Sequence, residues 1–447
     1  MSESSRTGDG DDRQHHLFGQ LPMQVLLRNV FWPLRLMERL PQYGDLVKIP
    51  IGRSPVYFAC HPQVAMEVLM DDTRFDKGGR FWEAARDFVG NGLASCSRAE
   101  HVTQRKLLQP EFQRKRVSTY EPMIVECIAD TIGKWEDGSR IDLLKEMYEI
   151  TGSAICSVLF GQSLAAPELA DARLAFEQLL GGGLARMLLP AWARKQYRRA
   201  NPRYSGANQR IAAIVSRAIG TRQEGEQRRA LGILGRMRND DVGRTALTET
   251  QLRDQAVTLF LAGADTTARL LAWACYVIAS EPRLQRRLQV EVDSVLAGQP
   301  ARAHHVPQLE LTRQVLEETL RLYPPGWIFS RTAVSDTTLC GHRIPNGSTI
   351  FCSPYMLHRR TDMFTAATEF DPSRWTGKNP SMERHAGYIP FGGGPRICIG
   401  ADFGMLESTL SIATILGSWE LIDPVKSKAR PSLILTPAPA MVRIRHR

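Results

Sequence analysis

The chain has eight cysteines but no C-x-x-C pair, so a zinc ribbon, a thioredoxin-type redox centre and a disulfide framework are all poorly served. It also lacks a block of like charge. The excess of 57 Lys and Arg over 47 Asp and Glu, a net +10, is spread along the sequence. Spread charge gives little footing for nucleic acid and more for a basic face that docks an acidic protein partner. The N-terminus, MSESSRTGDGDDRQHH, has neither the basic start nor the apolar core of a secretory signal. No transmembrane anchor follows it, and there is no internal repeat or low-complexity linker. These absences point to a soluble protein of a reducing cytoplasm.

What the sequence does have is bulk. Its 447 residues are 43% hydrophobic, enough for a sizeable core. Residues 1–18 read as a disordered tail and 19–447 as a single domain, mainly α with a small β lobe. Gln24 to Leu40 has a helical pattern ended by Pro41. Leu46–Ile51 and Pro55–Ala59 read as a hairpin around Gly52-Arg53-Ser54, and His61-Pro62 opens a helix through Met70. Phe75 to Leu93, rich in glycine and aromatics, reads as a long apolar loop covering a site. Amphipathic helices are expected over Arg98–Leu108, Ser118–Trp135, Leu143–Phe160, Leu174–Tyr204 and Gln209–Arg222. The fourth breaks at Gly181-Gly182-Gly183 and ends in Arg194, Lys195, Arg198, Arg199 and Arg203, a solvated face rather than a membrane contact. Ala256–Ala279 is the longest apolar segment and long enough for a membrane span. Asp265 and Arg269 near its middle, and the Thr248–Gln251 capping box ahead of it, make it a buried core helix instead. Leu311–Leu322 is helical, Leu339–Ile344 and Thr349–Ser353 read as strands around Pro345-Asn346-Gly347, and Ser432–Arg445 as a strand interrupted by prolines.

The chemistry centres on Phe391 to Gly400, FGGGPRICIG. Its glycines let the backbone lie flat against something bulky. The apolar-periodic run from Asp402 to Leu416 reads as a helix with Cys398 at its N-terminus, where the positive helix end favours a thiolate. A thiolate in such a loop is a metal ligand or a nucleophile. The structural alternative is a buried cysteine in a turn.

Phe391, Gly394, Arg396, Cys398 and Gly400 are spaced so that the loop resembles the haem-thiolate signature of the cytochrome P-450 family. That resemblance implies heme b, an iron protoporphyrin IX, with Cys398 as the axial iron ligand. It extends from about residue 40 to the end. Glu318 and Arg321, in ETLRLYPP, match the family's Glu-x-x-Arg pair, and Arg374, in FDPSRW, matches the arginine that completes a structural triad. Ala262-Gly263-Ala264-Asp265-Thr266-Thr267 resembles the oxygen-activation motif. By that resemblance Gly263 admits the haem, Thr266 hydrogen-bonds the O2 being reduced and Asp265 relays protons. A threonine bonded back to the carbonyl four residues earlier is the structural reading, and the two coexist. Arg396, Arg331, His101 and Arg105 match propionate-holding positions, with His101 where the family commonly has Trp.

FDKGG, VGNGL, LRLYPPGW and GHRIPNG bring the resemblance closer to bacterial terpene oxygenases. The implied pocket positions are Phe81, Phe88, Leu93, Phe260, Ala262, Trp327, Ile328, Phe329 and Leu435, all apolar and without a partner for a carboxylate. The resemblance therefore implies a monooxygenase that inserts one atom of O2 into a C–H bond or alkene of an apolar polycyclic small molecule. Its electrons would come from NAD(P)H through a ferredoxin reductase and a separate ferredoxin, docking near Lys106, Arg114, Lys115 and Arg116. Two alternatives stand beside it: a hydroxylase of a fatty acid, steroid or other scaffold, and a haem-based sensor without turnover. The Asp265–Thr266 pair argues against the sensor, which needs no proton relay.

Overall fold

The computed structural model describes residues 17–29, 31–50, 55–162, 164–180, 189, 191–220, 232–238, 247–377 and 387–447. The β lobe gathers strands distant in sequence. β1 (Phe18–Gln20), β2 (Leu46–Ile49), β3 (Val56–Ala59) and β4 (Phe75–Asp76) join β6 (Phe329–Ala333) and β9 (Thr349–Cys352) in one sheet, ordered β1-β2-β3-β9-β6-β4. β5 (Arg140–Asp142), β10 (Trp419–Ile422) and β13 (Met441–His446) form a second, with β13 central. β7 (Thr337–Leu339) pairs with β8 (His342–Ile344), and β11 (Lys428–Pro431) with β12 (Leu435–Ala438).

Several sequence expectations shift here. Most of the expected N-terminal tail, residues 1–16, lies outside the described residues, but Phe18 pairs with Leu46 in a parallel β1–β2 ladder, so the fold starts before residue 19. β2 and β3 pair antiparallel as expected, while the turn at Gly52–Ser54 lies outside the described residues. The Pro345–Gly347 turn does not close a hairpin. It carries the chain from β8 into β9 of a different sheet, and the hairpin closes at Cys340-Gly341 instead.

The helix expected over Gln24–Leu40 is two, α1 (Met23–Asn29) and α2 (Pro33–Arg39), because Pro33 cannot continue the first and instead starts the second. α3 (Pro62–Met70) is as expected. The loop expected over Phe75–Leu93 is mostly a helix, α4 (Gly79–Val89). Its glycines are its ends, not loop residues: Gly78 is the N-cap, and Gly90 closes it with φ of 68°. Arg194, expected on a solvated face, is buried, and its guanidinium pairs with Glu83 of α4 at 2.8 Å. The break at Gly181–Gly183 lies outside the described residues.

The helices that place the site include α5 (Arg98–Leu108) beside the later cysteine loop, α6 (Leu143–Phe160), and α7 (Ala166–Leu180) packed on α6. Across them runs α8 (Glu249–Ser280), 32 residues, about 48 Å at 1.5 Å per residue. Its start is fixed by the capping box: Gln251 N–H donates to Thr248 Oγ1 at 3.2 Å, and Thr248 N–H donates to Gln251 Oε1 at 3.0 Å. α6 and α8 approach closely because Gly263 has no side chain. A Cβ there would lie 2.8 Å from Ile155 Cγ1. Beside that point the Thr151 hydroxyl donates to Ala264 O at 2.7 Å. No helix among the described residues is long and apolar enough to cross a membrane.

α9 (Glu310–Leu322) and α10 (Ala401–Ser418) flank the site from the C-terminal half. Arg321 on α9 is fully buried, and its Nε and Nη2 each donate to Glu318 at 2.8 Å. Nη1 donates to His358 O at 2.8 Å and Ala367 O at 2.6 Å, and Nη2 also reaches Glu369 O at 2.9 Å. Glu318 in turn accepts from the Trp375 indole at 2.9 Å and the Asp371 N–H at 3.0 Å. Arg374 stands farther off, at 3.5 Å. The expected triad is therefore a tight Glu318–Arg321 pair with Arg374 at its edge. Replacing Arg321 by Met would leave Glu318 buried without its counter-charge. The expected cost is about 3–5 kcal/mol, checked by denaturant unfolding, whereas Arg374→Met should lose far less.

Candidate active site

The loop before α10 is built to present one sulfur. Gly394 has φ of 67°, and a Cβ there would meet Leu69 O at 2.0 Å, so only glycine lets the loop sit this close to the end of α3. Phe391 O accepts the Cys398 N–H at 2.9 Å, and Arg105 Nη1 donates to Ile397 O at 2.6 Å. All eight cysteines are free, and Cys398 is the one that is exposed, opening into an internal cavity. Burial raises its thiol pKa, while the Gly400 N–H, Arg105 and Lys77 pull the other way. The thiolate expected from the helix end is therefore not secured by the polypeptide alone. A bound cation at the sulfur would deprotonate it outright.

The cavity has a volume of about 300 Å³, in the range of ligand sites. Along one side it is lined by Lys77, His101, Arg105, Arg331 and Arg396. Two carboxylates accompany this cluster: Asp76 bonds Arg396 Nη2 at 2.6 Å, and Asp72, shared with Arg98, lies 3.7 Å from Arg396 Nε. Nε of Arg331 and Nε of Arg396 are buried without a hydrogen-bond acceptor. Crowding registers in the titrations. Burial first, then Arg331 and Arg396, hold the Lys77 ammonium well below its usual range. Burial, then Arg396 and Lys77, bring His101 down to about 3, and burial brings Arg331 to about 10. Buried cations with unused donors are costly unless an anion joins them. This wall fits a ligand that carries carboxylates. Arg105 works differently from its expected role as a propionate ligand alone, since it also braces the cysteine loop.

Lys77 is missing from the sequence-based set. Its Nζ donates to Ala94 O at 2.6 Å and lies 4.6 Å from the centre of the Trp82 ring. FDKGG contained it, but nothing in the spacing said which way it points.

Another part of the lining comes from α8. Thr258, Ala262, Thr266 and Leu270 line the cavity, each four residues after the last, and so form one stripe. Leu259 and Thr267 border it. Thr266 faces the cavity and its hydroxyl bonds back to Ala262 O at 2.5 Å, as the structural reading expects. Asp265 does not line the cavity; it is 2% exposed and paired with Arg269. Gly263 does not line it either. Its missing side chain serves the α6 seam instead of admitting a ligand.

Of the expected pocket positions, Leu93, Ala262 and Phe329 line the cavity. Phe81, Phe260, Trp327, Ile328 and Leu435 do not. On α4, Trp82 faces the cavity, and its indole donates to Ser330 O at 3.2 Å; Phe81 packs edge-on against Phe351. On β6, Phe329 and Arg331 face in, two residues apart as strand alternation requires, while Ile328 lies just before the strand and packs on the β-lobe core. Phe260 is on the buried side of α8, and Trp327 and Leu435 are core residues of the β lobe. The Phe88 side chain lies outside the described residues.

The family model for cytochrome P450 matches residues 18–444. The chain is 36% identical over 414 residues to cyclooctatin synthase of Streptomyces melanosporofaciens, covering 91% of this chain and 90% of that one. It is 36% identical over 406 residues to pentalenene oxygenase of Streptomyces avermitilis, covering 90% of each. Against the cyclooctat-9-en-7-ol 5-monooxygenase of Streptomyces melanosporofaciens it is 32% identical over 392 residues, covering 87% of this chain and 85% of that one. The chain belongs to the cytochrome P450 family. It is a haem-thiolate monooxygenase using O2, and the residues present fit the cofactor: Cys398 opens into the cavity at one face, and the cationic wall with its unused guanidinium donors suits the two propionates.

Two outcomes follow. Cys398→Ser should abolish the strongly red-shifted absorption band of the CO-bound ferrous protein, recorded on the purified holoprotein. Lys77→Met should keep that band but weaken haem retention by about 10- to 100-fold, the worth of a hydrogen bond to a charged group, measured as haem transfer to apomyoglobin.

Proposed function

We propose that this monooxygenase acts on a polycyclic terpene hydrocarbon or a terpene carrying few polar groups. The observation that carries the reading is the division of the cavity. Its cations gather on one wall, where the propionates would use them. Leu93, Leu259, Ala262, Leu270, Leu320 and Phe329 line other parts of it with carbon. A rigid hydrocarbon loses little conformational entropy on such a surface, whereas a fatty acid loses more and brings a carboxylate with no partner. The names of the bacterial relatives, which oxidise pentalenene and cyclooctat-9-en-7-ol, support the same substrate class.

Haem, when bound, supplies the reductive activation of O2 and its insertion into the substrate. The chain's own part is positioning and proton traffic. Trp82 and Phe329 would fix the substrate's orientation beside the stripe of α8. The Thr266 hydroxyl, anchored on Ala262 O, would hold a proton at the cavity surface, and Asp265 one residue earlier would replenish it. Electrons would arrive in the cytoplasm from NAD(P)H by way of a ferredoxin reductase and a ferredoxin. The exposed Lys106, Arg114 and Lys115 on the Cys398 side supply a basic landing face for such an acidic carrier.

The test is a spectral titration of the ferric holoprotein with cyclic sesquiterpenes and diterpenes and with long-chain fatty acids, followed by turnover with a surrogate ferredoxin system. Terpenes should give the high-spin shift and an oxygenated product. If fatty acids do both and terpenes of several ring sizes do neither, the substrate reading is wrong. An enzyme that binds ligands but yields no product with any reductant would be the sensor. Thr266→Ala should keep consuming reductant while diverting much of it to peroxide; unchanged product per electron would remove Thr266 from the proton path.

A further inference from the structure

Asp265 and Arg269 lie one turn apart in the middle of α8, and their side chains are 3% and 4% exposed. Arg269 pairs with the Asp265 carboxylate through Oδ1, and its Nη1 also donates to the Asp265 carbonyl at 3.1 Å. The other carboxylate oxygen, Oδ2, is buried and accepts no hydrogen bond. A second clamp holds the guanidinium itself: Arg269 Nε donates to Thr436 Oγ1 of β12 at 2.7 Å. That hydroxyl donates in turn to Ile434 O at 3.3 Å, so its lone pair is turned toward Arg269. The strand is anchored on the cavity wall, because Leu435 N–H bonds the carbonyl of Pro325, a cavity residue, at 3.0 Å.

We propose that Arg269 is a positioning residue that keeps Asp265 a carboxylate turned away from the cavity, and that the Thr436 hydroxyl sets how firmly it holds. The proposal rests on the reading of Asp265 as the group that replenishes Thr266. To serve Thr266, the carboxyl must exchange its bond to Arg269 for one on the cavity side, so the clamp governs how often the acid is presented. Burial brings Arg269 down to about 10, which leaves it cationic at neutral pH. The other titratable groups acting on Arg269 are Tyr148 of α6 and Glu177 and Arg173 of α7. The last two bond each other at 2.6 Å. On β12 the contact is the neutral Thr436, and Glu407 of α10 faces Thr267 rather than Asp265. Arg269 is the cation in direct contact with the Asp265 carboxylate.

The sign follows. Removing an opposite charge in contact disfavours the carboxylate, so Asp265 should take up its proton about 1–3 pH units higher in Arg269→Gln. Thr436→Val keeps the charge but frees its Nε, and should shift the same titration upward by less. Arg269→Lys should stay near wild type. The readout is the infrared carbonyl band of the protonated carboxylic acid in the ferric holoprotein, followed against pH with Asp265→Asn as the blank. A titration of Arg269→Gln that coincides with wild type overturns the clamp. A Thr436→Val titration that coincides with wild type overturns the part given to Thr436. If Arg269→Gln does not fold, an unshifted Thr436→Val together with a shifted Arg269→Lys overturns the proposal. Product per NAD(P)H is measured in parallel. If Asp265→Asn leaves it unchanged, the proton-source reading fails, while the infrared titration still decides whether Arg269 holds the carboxylate.

Discussion

The buried guanidinium of Arg321 is the contact on which the lower half of the molecule depends. Its five N–H donors all find acceptors: two on Glu318 and three on the backbone carbonyls of His358, Ala367 and Glu369. One side chain thereby ties α9 to a stretch of chain that has little regular structure of its own, and that stretch leads to the cysteine loop. A buried charge costs free energy unless every donor is used, so this pair also dictates where the carbonyls it collects must lie. Arg331 and Arg396 are also buried and leave donors unused. The two environments hold the same residue type at similar burial and differ in one respect, satisfaction. The satisfied guanidinium is architecture; the unsatisfied ones are waiting for an anion.

The site inherits its two-sided character from two periodicities. β6 sends alternate residues into the cavity and delivers Phe329 and Arg331 together, one apolar and one cationic. α8 presents every fourth residue, from Thr258 to Leu270, and keeps its charges off that stripe. Asp265 is on the same helix turn as Thr266 yet faces protein, where Arg269 can reach it. The charged pair is thus stored behind the wall, and the wall itself carries only neutral side chains from α8.

How much of this was legible in the sequence depended on whether a residue's role is fixed locally. Cys398, Glu318 and Arg321 were legible because their spacing along one loop or one helical turn already sets their geometry. The long core helix was legible from its capping box and its apolar run. Facing was not. Phe81 and Trp82 are adjacent and equally bulky, and only the roll of α4 against β6 brings Trp82 into the cavity. Ile328 and Phe329 are likewise adjacent, and only where β6 starts separates them. Gly263 was expected to admit the haem, but the close approach it allows is to Ile155 of α6, which no local pattern names. The glycines around α4 were misread as loop because a helix between two glycine caps looks, residue by residue, like a glycine-rich segment.

The separation of faces on α8 has a further consequence for how such a protein changes over generations. The seam against α6 is intolerant, since even a methyl group at Gly263 would collide. The neighbouring stripe can change at Ala262, which is exposed to the cavity, whereas Thr258 is held by its hydroxyl on Val89 O at 3.1 Å and packs against Gly92. Cavity shape and helix packing are therefore nearly independent variables on one rigid rod. A lineage can reshape the cavity at Ala262 while the scaffold beneath it stays as it is.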